Sequence, residues 1–178
     1  MQLRIKSVHG NQVSDPPLQH CFPPVVAPHT RLLLVGSLPG AKSLAAGRYY
    51  ANPRNQFWRL LEAVLERPLE PLAYEQRLDV LLGEGIGLWD TVAAARRPGS
   101  LDADIRLEAA SDLAGLRRTL PQLRAIGFNG GTSARIGRRQ IGGGDGVALI
   151  DLPSSSPAYT LSLQAKLSAW SALRSYLG

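Results

Sequence analysis

Short continuous apolar runs recur along the chain, and each has the length of one β-strand. Leu32 to Val35 form such a run, which ends at Gly36 and predicts a buried strand. The segments Ile86 to Trp89, Arg124 to Phe128 and Val147 to Ile150 predict three more strands. The loop that starts at Gly36 follows the carboxyl end of its strand, which is where α/β proteins commonly bind ligands.

Between the strands, apolar residues recur every three or four positions, the spacing of an amphipathic helix. Helices are therefore predicted from Asn55 to about Pro68, over about residues 72–82, from the capping pair Ser111-Asp112 to about Leu120, and from Leu163 to Leu177. Strand and helix alternate throughout. This order predicts an α/β fold, a three-layer α/β/α sandwich around a central, mostly parallel four-stranded sheet.

The amino-terminal residues differ from the rest of the chain. Residues 1–29 are rich in proline, histidine and polar side chains without a sustained period, so we expect an extended arm. Residues 30–178 hold all the predicted elements and are expected to form one domain. No apolar segment is typical of a signal peptide or a membrane span, and the expected location is the cytoplasm.

Composition narrows the possible partners and excludes several cofactors. The 20 lysine and arginine residues outnumber the 14 aspartate and glutamate residues, so the net charge is +6, which favours a polyanionic partner or simply a basic surface. Cys21 is the only cysteine, so an internal disulfide, a four-thiolate zinc site and a cysteine-bound iron–sulfur cluster are excluded. The three histidines precede the predicted core without ligand spacing. We therefore expect neither a metal nor another cofactor.

The loop after the first predicted strand has the small residues of a phosphate-binding loop. Gly36 to Ser43 end in Lys42-Ser43, but Ala41 stands where the phosphate-loop pattern requires its second glycine. A phosphate-loop nucleotide-binding enzyme therefore remains an alternative.

A cluster of aromatic and amide side chains follows this loop, from Tyr49 to Trp58. A nucleobase extruded from DNA needs an aromatic face for stacking and polar groups that read its edge, and this segment offers both. Phe57 and Trp58 fit the helical spacing and are more simply explained as core residues. Tyr50 precedes the helix and is the better candidate for a base contact.

Two separated motifs stand out in the chain. The first consists of Gly36 to Gly40, Tyr49-Tyr50 and Pro53 to Trp58, the second is Leu152 to Ala158, and Gly87 to Asp90 and Gly99 to Asp102 accompany them. The two motifs resemble the uracil-DNA glycosylase superfamily, and the accompanying segments resemble its hypoxanthine (deoxyinosine)-DNA glycosylases, which neighbour the mismatch-specific uracil/thymine glycosylases. The resemblance implies a monofunctional DNA glycosylase that flips out uracil and/or hypoxanthine and hydrolyses its N-glycosidic bond, the first step of base excision repair.

The same resemblance implies a base pocket. Tyr50 would stack on the base, Asn129 could contact it, and Asn55 would hold the water or the substrate. Asn55 could instead cap the following helix, and Asn129-Gly130 is also an ordinary turn signal. The backbone amides that would line the pocket belong to Gly36, Ser37, Leu38, Pro39 and Gly40.

One residue departs from the better-known branches of the superfamily. Leu38 stands where they carry an aspartate or asparagine, and a leucine side chain cannot activate water. Catalysis would then depend on Asn55, on Asp90, or on binding and leaving-group stabilisation alone, although Asp90 could merely cap or form a surface ion pair. Gly40 replaces a bulky aromatic residue of the uracil-only branch, so the pocket could admit larger bases. A DNA-binding member that is catalytically weak is the first alternative.

The second motif and two neighbouring helices supply candidate contacts to single- or double-stranded DNA, which the chain is expected to bind as a monomer. Hydroxyl groups, backbone amides and cations bind phosphates without reading sequence. The alternatives are an ordinary serine-rich turn and a solvated charged helix. The candidates are Ser154, Ser155, Ser156, Pro157 and Lys166, together with Arg135, Arg138 and Arg139.

Overall fold

The computed structural model describes residues 15–142 and 146–178. Within these ranges, short 3-10 turns lie at Asp102–Asp104 and Ala172–Tyr176, in addition to the strands and helices. In chain order the strands and helices are β1 (Leu18–His20), β2 (Leu32–Gly36), α1 (Ala41–Ala46), α2 (Phe57–Leu65), α3 (Tyr74–Gly83), β3 (Ile86–Asp90), β4 (Val92–Arg96), β5 (Arg106–Ala110), α4 (Leu113–Arg118), β6 (Ala125–Asn129), α5 (Gly131–Ile141), β7 (Ala148–Leu152) and α6 (Leu163–Ser171).

The central sheet is parallel and four-stranded, with the order β3-β2-β6-β7. Leu32 and Leu34 of β2 pack into one apolar cluster with residues of α2 and α6. Leu33 and Val35 point the other way, into a second cluster with residues of α4 and α5. A strand that is covered on both faces must be apolar throughout, which explains the continuous run in the sequence. The predicted three-layer α/β/α sandwich is confirmed.

A second, antiparallel sheet has the order β1-β4-β5 and was not predicted. It interrupts the expected alternation of strand and helix, which is wrong between Asp90 and Ser111. Every residue of β5 is exposed, and β4 consists mainly of alanine, so neither strand carries the apolar signal of a buried strand. The hairpin lies beside the loop after β2, because the Val92 amide donates to the carbonyl oxygen of Ser37 at 3.0 Å.

The described part of the amino-terminal arm, residues 15–29, is hydrogen-bonded to the rest of the domain. Val25 and Leu88 exchange two backbone hydrogen bonds, of 2.9 and 2.8 Å, and Cys21 donates to Ala93 at 3.0 Å. Residues 1–14 of the expected arm, like residues 143–145, lie outside the described residues. Within the described ranges, no helix is long and apolar enough to cross a membrane.

Candidate active site

The carboxyl ends of the parallel strands bring the candidate residues of distant segments together. β2 ends at Gly36, β3 at Asp90 and β6 at Asn129, and Gly36 and Asp90 are register partners. The Tyr50 hydroxyl reaches this edge, where Asn129 Nδ2 donates to it at 3.2 Å. The sheet edge that the sequence indicated is therefore where these side chains meet.

Gly36 permits two polar groups to approach its backbone closely. A Cβ atom at this position would lie 2.7 Å from Asp90 Oδ1 and 3.1 Å from the Tyr50 hydroxyl oxygen. The first separation is shorter than real Cβ contacts and the second is tighter than most of them, so a side chain at residue 36 would require Asp90 and Tyr50 to shift. The absence of a side chain at Gly36 thus allows the Asp90 carboxyl and the Tyr50 hydroxyl to sit next to the main chain.

Asp90 is buried, and its carboxyl has unused hydrogen-bonding capacity. Its exposed fraction is 3%, and Oδ2 has no hydrogen-bond partner within the described part of the chain. The pKa of Asp90 is raised to about 7, chiefly by burial and also by the neighbouring Asp102 carboxylate, while Arg97 acts in the opposite direction. Asp90 therefore does not belong to a surface ion pair, although a nearby arginine, Arg97, does act on its charge. Near neutral pH this carboxyl is partly protonated and can donate a hydrogen bond.

The raised pKa of Asp90 should make the folded state less stable as the pH rises. Because the folded-state pKa is about 7 and exceeds the unfolded value, stability is lost between about pH 4 and pH 7. The Asp90→Asn variant is expected to match the wild type near pH 4 and to be more stable near pH 8, by about 1.4 kcal/mol per unit of pKa shift. Urea unfolding at both pH values measures this. The prediction is contradicted if Asp90→Asn differs from the wild type in stability by the same amount at both pH values. The control is Asp104→Asn, which changes an exposed carboxylate.

Tyr50 is held from several sides. Its φ angle is 52°, a left-handed backbone conformation that residues other than glycine rarely adopt. Its ring stacks on Phe57 with 3.6 Å between centroids and 9° between planes, and Trp58 Nε1 donates to its carbonyl oxygen at 3.3 Å. Phe57 and Trp58 are themselves core residues, exposed by 0% and 4%. Since Phe57 covers one face of the Tyr50 ring, a stacked base would have to use the opposite face.

Asn129 acts as a connector between Tyr50 and the second motif. Its Nδ2 donates to the Tyr50 hydroxyl and to Ser155 Oγ at 2.9 Å, and its Oδ1 accepts from the Ser155 amide at 2.8 Å. Both ends of the amide are thus engaged by protein groups. Asn129 lies at the predicted site, where its side chain positions Tyr50. Both Nδ2 protons are used, but Oδ1 accepts a single hydrogen bond and retains a second lone pair for a donor on a base.

Two candidate DNA contacts point into the protein, which corrects their expected role. Ser155 is 1% exposed, and its carbonyl oxygen accepts from the Gln56 amide at 3.0 Å. Lys166 is also 1% exposed, and its Nζ donates to the carbonyl oxygens of Tyr159, at 2.9 Å, and Ser156, at 3.4 Å. Burial lowers the pKa of this lysine. Lys166 therefore ties the loop of the second motif together instead of facing a phosphate.

Of the other second-motif candidates, Pro157 is exposed, and Ser154 and Ser156 are partly buried. Ser154 Oγ accepts from the Ser156 amide, and Ser156 Oγ accepts from the Ala158 amide, each at 3.2 Å. These are the hydrogen bonds of a serine-rich turn, and they leave each hydroxyl proton free to be donated.

Asn55 lies one residue before the N-cap Gln56, and its side chain accepts a hydrogen bond from the first amide of α2, much as in its alternative interpretation as a cap. Its Oδ1 accepts from the Phe57 amide at 3.0 Å. It also lines a groove of about 560 Å³, whose walls include Tyr50, Trp58, Tyr74 and Arg77. Gly36, Asp90 and Asn129 do not line this groove, so Tyr50 links it to the sheet edge. Asn55 can therefore cap the helix through its oxygen and still present Nδ2 towards the groove.

The side chains of the loop after β2 are directed into the protein. Leu38 is 6% exposed and packs with Val92, Ala95 and Ile136. Ser37 Oγ donates to Asp102 Oδ1 at 2.6 Å. What this loop can offer a ligand is chiefly its main chain.

The hairpin loop between β4 and β5 supplies residues that the sequence analysis did not assign to the site. Arg97 donates through Nη2 to the carbonyl oxygen of Pro39, Ser100 Oγ accepts from the Ala41 amide at 2.9 Å, and Asp102 binds Ser37. The one sequence signal for this loop was that the segment from Gly99 to Asp102 resembles the hypoxanthine-DNA glycosylases. Nothing in the local pattern marks Arg97.

Comparison with known proteins extends over nearly the whole described chain. Residues 23–174 match the family model of the uracil DNA glycosylase superfamily. A hypoxanthine DNA glycosylase of Methanosarcina acetivorans is 38% identical over 152 residues, which cover 85% of this chain and 95% of that protein. A second one, from Methanosarcina barkeri, is 37% identical over 149 residues, covering 84% and 93%.

A more distant relative and a solved structure agree with these matches. A G/U mismatch-specific uracil DNA glycosylase of Schizosaccharomyces pombe is 33% identical over 100 residues, which cover 55% of this chain and 29% of that protein. The solution NMR structure of a Methanosarcina acetivorans protein superposes with a TM-score of 0.79 at 36% identity, covering 90% of this chain and 99% of that one.

Proposed function

Because this chain belongs to the uracil DNA glycosylase superfamily, we propose that it hydrolyses the N-glycosidic bond of hypoxanthine, and of uracil, in DNA. Membership confirms the resemblance found in the sequence and the enzyme class that it implied, a DNA glycosylase that initiates repair of deaminated bases. The observation that carries the proposal is the buried Asp90 carboxyl, whose Oδ2 is unpartnered among the described residues, beside the main chain of Gly36.

Asp90 suits the leaving base. As the glycosidic bond breaks, negative charge develops on the departing base and is shared with its carbonyl oxygen. A neutral Asp90 carboxyl can donate a hydrogen bond to that oxygen, and a preorganised donor in a buried site stabilises the developing charge more than water would. The raised pKa of Asp90 keeps the donor form populated near neutral pH. Tyr50 would hold the base through the ring face that Phe57 leaves open.

Asn55 suits the attacking water. Positive charge on the sugar makes the anomeric carbon reactive enough for a positioned water, so a side chain that orients the water can replace one that deprotonates it. The Oδ1 atom of Asn55 is bound to the Phe57 amide, which fixes the side chain and leaves Nδ2 to donate to the water oxygen. This arrangement would compensate for Leu38, whose side chain is turned into the core.

The two alternatives make different predictions. A binding-only protein would hold the same DNA without cutting the base from it, which Leu38 still motivates. The contacts of Ser43 argue against a phosphate-loop enzyme. That side chain is 5% exposed and its Oγ accepts from the Ala51 amide at 3.1 Å, so the hydroxyl that would bind a metal ion is inside the protein.

Single-turnover excision tests the proposal directly. Labelled duplexes with one hypoxanthine, uracil, xanthine or G·T mismatch are incubated with excess protein, and alkali then cleaves at abasic sites. We expect cleavage at hypoxanthine and at uracil, and none in an undamaged duplex. Tight binding of the hypoxanthine duplex by folded protein without any cleavage would instead establish the binding-only alternative.

DNA binding is expected to depend steeply on salt concentration. The chain has a net charge of +6, and Arg135 and Arg139 are exposed on α5. A protein that neutralises phosphates releases counterions, so log Kd should rise linearly with log salt, with a slope of about 0.9 for each phosphate contact. Fluorescence anisotropy from low to physiological salt measures the slope. A flat response would contradict binding to the phosphate backbone.

We propose a monomeric protein that acts in the cytoplasm.

A further inference from the structure

The loop between β4 and β5 places a buried guanidinium against the loop after β2. Arg97 is 1% exposed, and its Nη2 donates to the carbonyl oxygen of Pro39 and to Gln19 Oε1, the latter at 3.1 Å. Its Nε and Nη1 have no hydrogen-bond partner among the described residues. Unpaired donors on a buried cation destabilise a fold. Support of the loop alone does not explain why this position carries an arginine.

Asp102 reaches the same loop from the next turn of the hairpin. Its Oδ1 accepts from Ser37 Oγ at 2.6 Å and lies 3.8 Å from Arg97 Nη1. Arg97 and Asp102 therefore contact residues 37 and 39, one on each side of Leu38. The backbone that Gly36 offers beside Asp90 continues directly into this clamped segment.

The same two residues act electrostatically on Asp90. The Asp102 carboxylate raises the pKa of Asp90 and the Arg97 guanidinium lowers it. Among the described residues, Cys21, Tyr49 and Tyr50 also interact electrostatically with Asp90. Burial raises the pKa of each of these groups, so they are uncharged near neutral pH. Burial is the largest cause of the raised pKa of Asp90, and among the described residues Arg97 and Asp102 are the charged groups that modify it.

We propose that Arg97 and Asp102 are positioning residues for the site. They clamp the loop that follows Gly36, against which the Asp90 carboxyl packs, and Asp102 favours the protonated carboxyl that contacts the base whereas Arg97 favours the ionised one. The catalytic part of this proposal rests on the proposed function. The electrostatic part is a property of the free protein and can be measured without DNA.

Carbon-13 NMR titration of the Asp90 carboxyl tests the electrostatic part. Asp102→Asn removes a negative charge, so the titration midpoint of Asp90 should fall by on the order of one pH unit. Arg97→Met removes a positive charge, so the midpoint should rise. Asp104→Asn changes the exposed carboxylate two residues from Asp102 and should leave the midpoint unchanged. An unchanged midpoint in folded Asp102→Asn overturns the proposal even if Arg97→Met fails to fold, because Asp102 is partly exposed and tolerates substitution better.

The pH profile of hypoxanthine excision tests the catalytic part. In Asp102→Asn, the pH at which the single-turnover rate falls should move down together with the NMR midpoint, and in Asp104→Asn it should not move. A rate that is lowered equally at every pH would assign Asp102 a purely structural role and overturn the proposal. If the wild type excises nothing while the NMR midpoints shift as expected, the proposed function fails and the coupling of the three side chains stands.

Discussion

Replacing Asp90 with alanine is expected to lower the single-turnover rate of hypoxanthine excision by about 10²- to 10³-fold, the usual cost of removing one preorganised donor to a developing negative charge. The carboxyl is 3% exposed and lies against Gly36 through Oδ1, while its Oδ2 has no partner among the described residues and is available for a hydrogen bond to the base. Binding of the intact duplex should change little, because the charge on the base develops only as the bond breaks. Quench experiments with excess protein measure the rate, and fluorescence anisotropy measures the affinity.

The pH dependence distinguishes a hydrogen-bond donor from a general base. If neutral Asp90 is the active form, the wild-type rate falls as the pH rises through about 7, because its pKa is raised to about 7. Asp90→Asn keeps an N–H donor that does not titrate, so it should retain more activity than Asp90→Ala and lose this fall. A wild-type rate that increases through the same range would show that the carboxylate form acts, and would exclude the donor role.

The buried sheet and the residues at its edge could be predicted because their signals are local. The continuous apolar run Leu32 to Val35 predicts a strand covered on both faces, and Gly36, Asp90 and Asn129 each come directly after such a run. In a parallel sheet the carboxyl ends share one edge, so three segments that are far apart in sequence could be placed together from their strands alone. The shared edge of a parallel sheet does not predict in which direction each side chain points there.

The inward direction of Ser155 and Lys166 depends on contacts that no local pattern specifies. Ser155 faces Asn129, 26 residues away, and Lys166 faces carbonyl oxygens of the loop that precedes its own helix. Both were expected at the DNA because hydroxyl groups and cations bind phosphates, and the alternative was a solvated turn or helix face. Neither interpretation includes burial. The hairpin was missed for a related reason, since its exposed strand β5 has no apolar face. Arg97 reaches Pro39 across 58 positions in the sequence.

Replacing Asn55 with alanine is expected to lower excision by about 10²-fold or more while the affinity for DNA is largely kept, because the variant loses the side chain proposed to hold the attacking water. The alanine variant also loses the hydrogen bond from the Phe57 amide to Asn55 Oδ1, a helix cap worth about 1 kcal/mol. A lowered rate in this variant alone could therefore come from a displaced Tyr50, whose ring stacks on Phe57.

Asn55→Asp separates these two causes. A carboxylate still accepts from the Phe57 amide, so the free energy of unfolding should stay close to that of the wild type, but the Nδ2 donor is gone. If Asn55 orients the water through Nδ2, the Asn55→Asp variant should excise hypoxanthine about as poorly as the alanine variant at a pH where the new carboxylate is ionised. Urea unfolding and single-turnover excision on the same preparations give both quantities. A wild-type rate in Asn55→Asp would exclude the Nδ2 donor role. A wild-type rate in the alanine variant as well would reduce Asn55 to a helix cap, and the water would then have to be held by another group in the groove beside Tyr50.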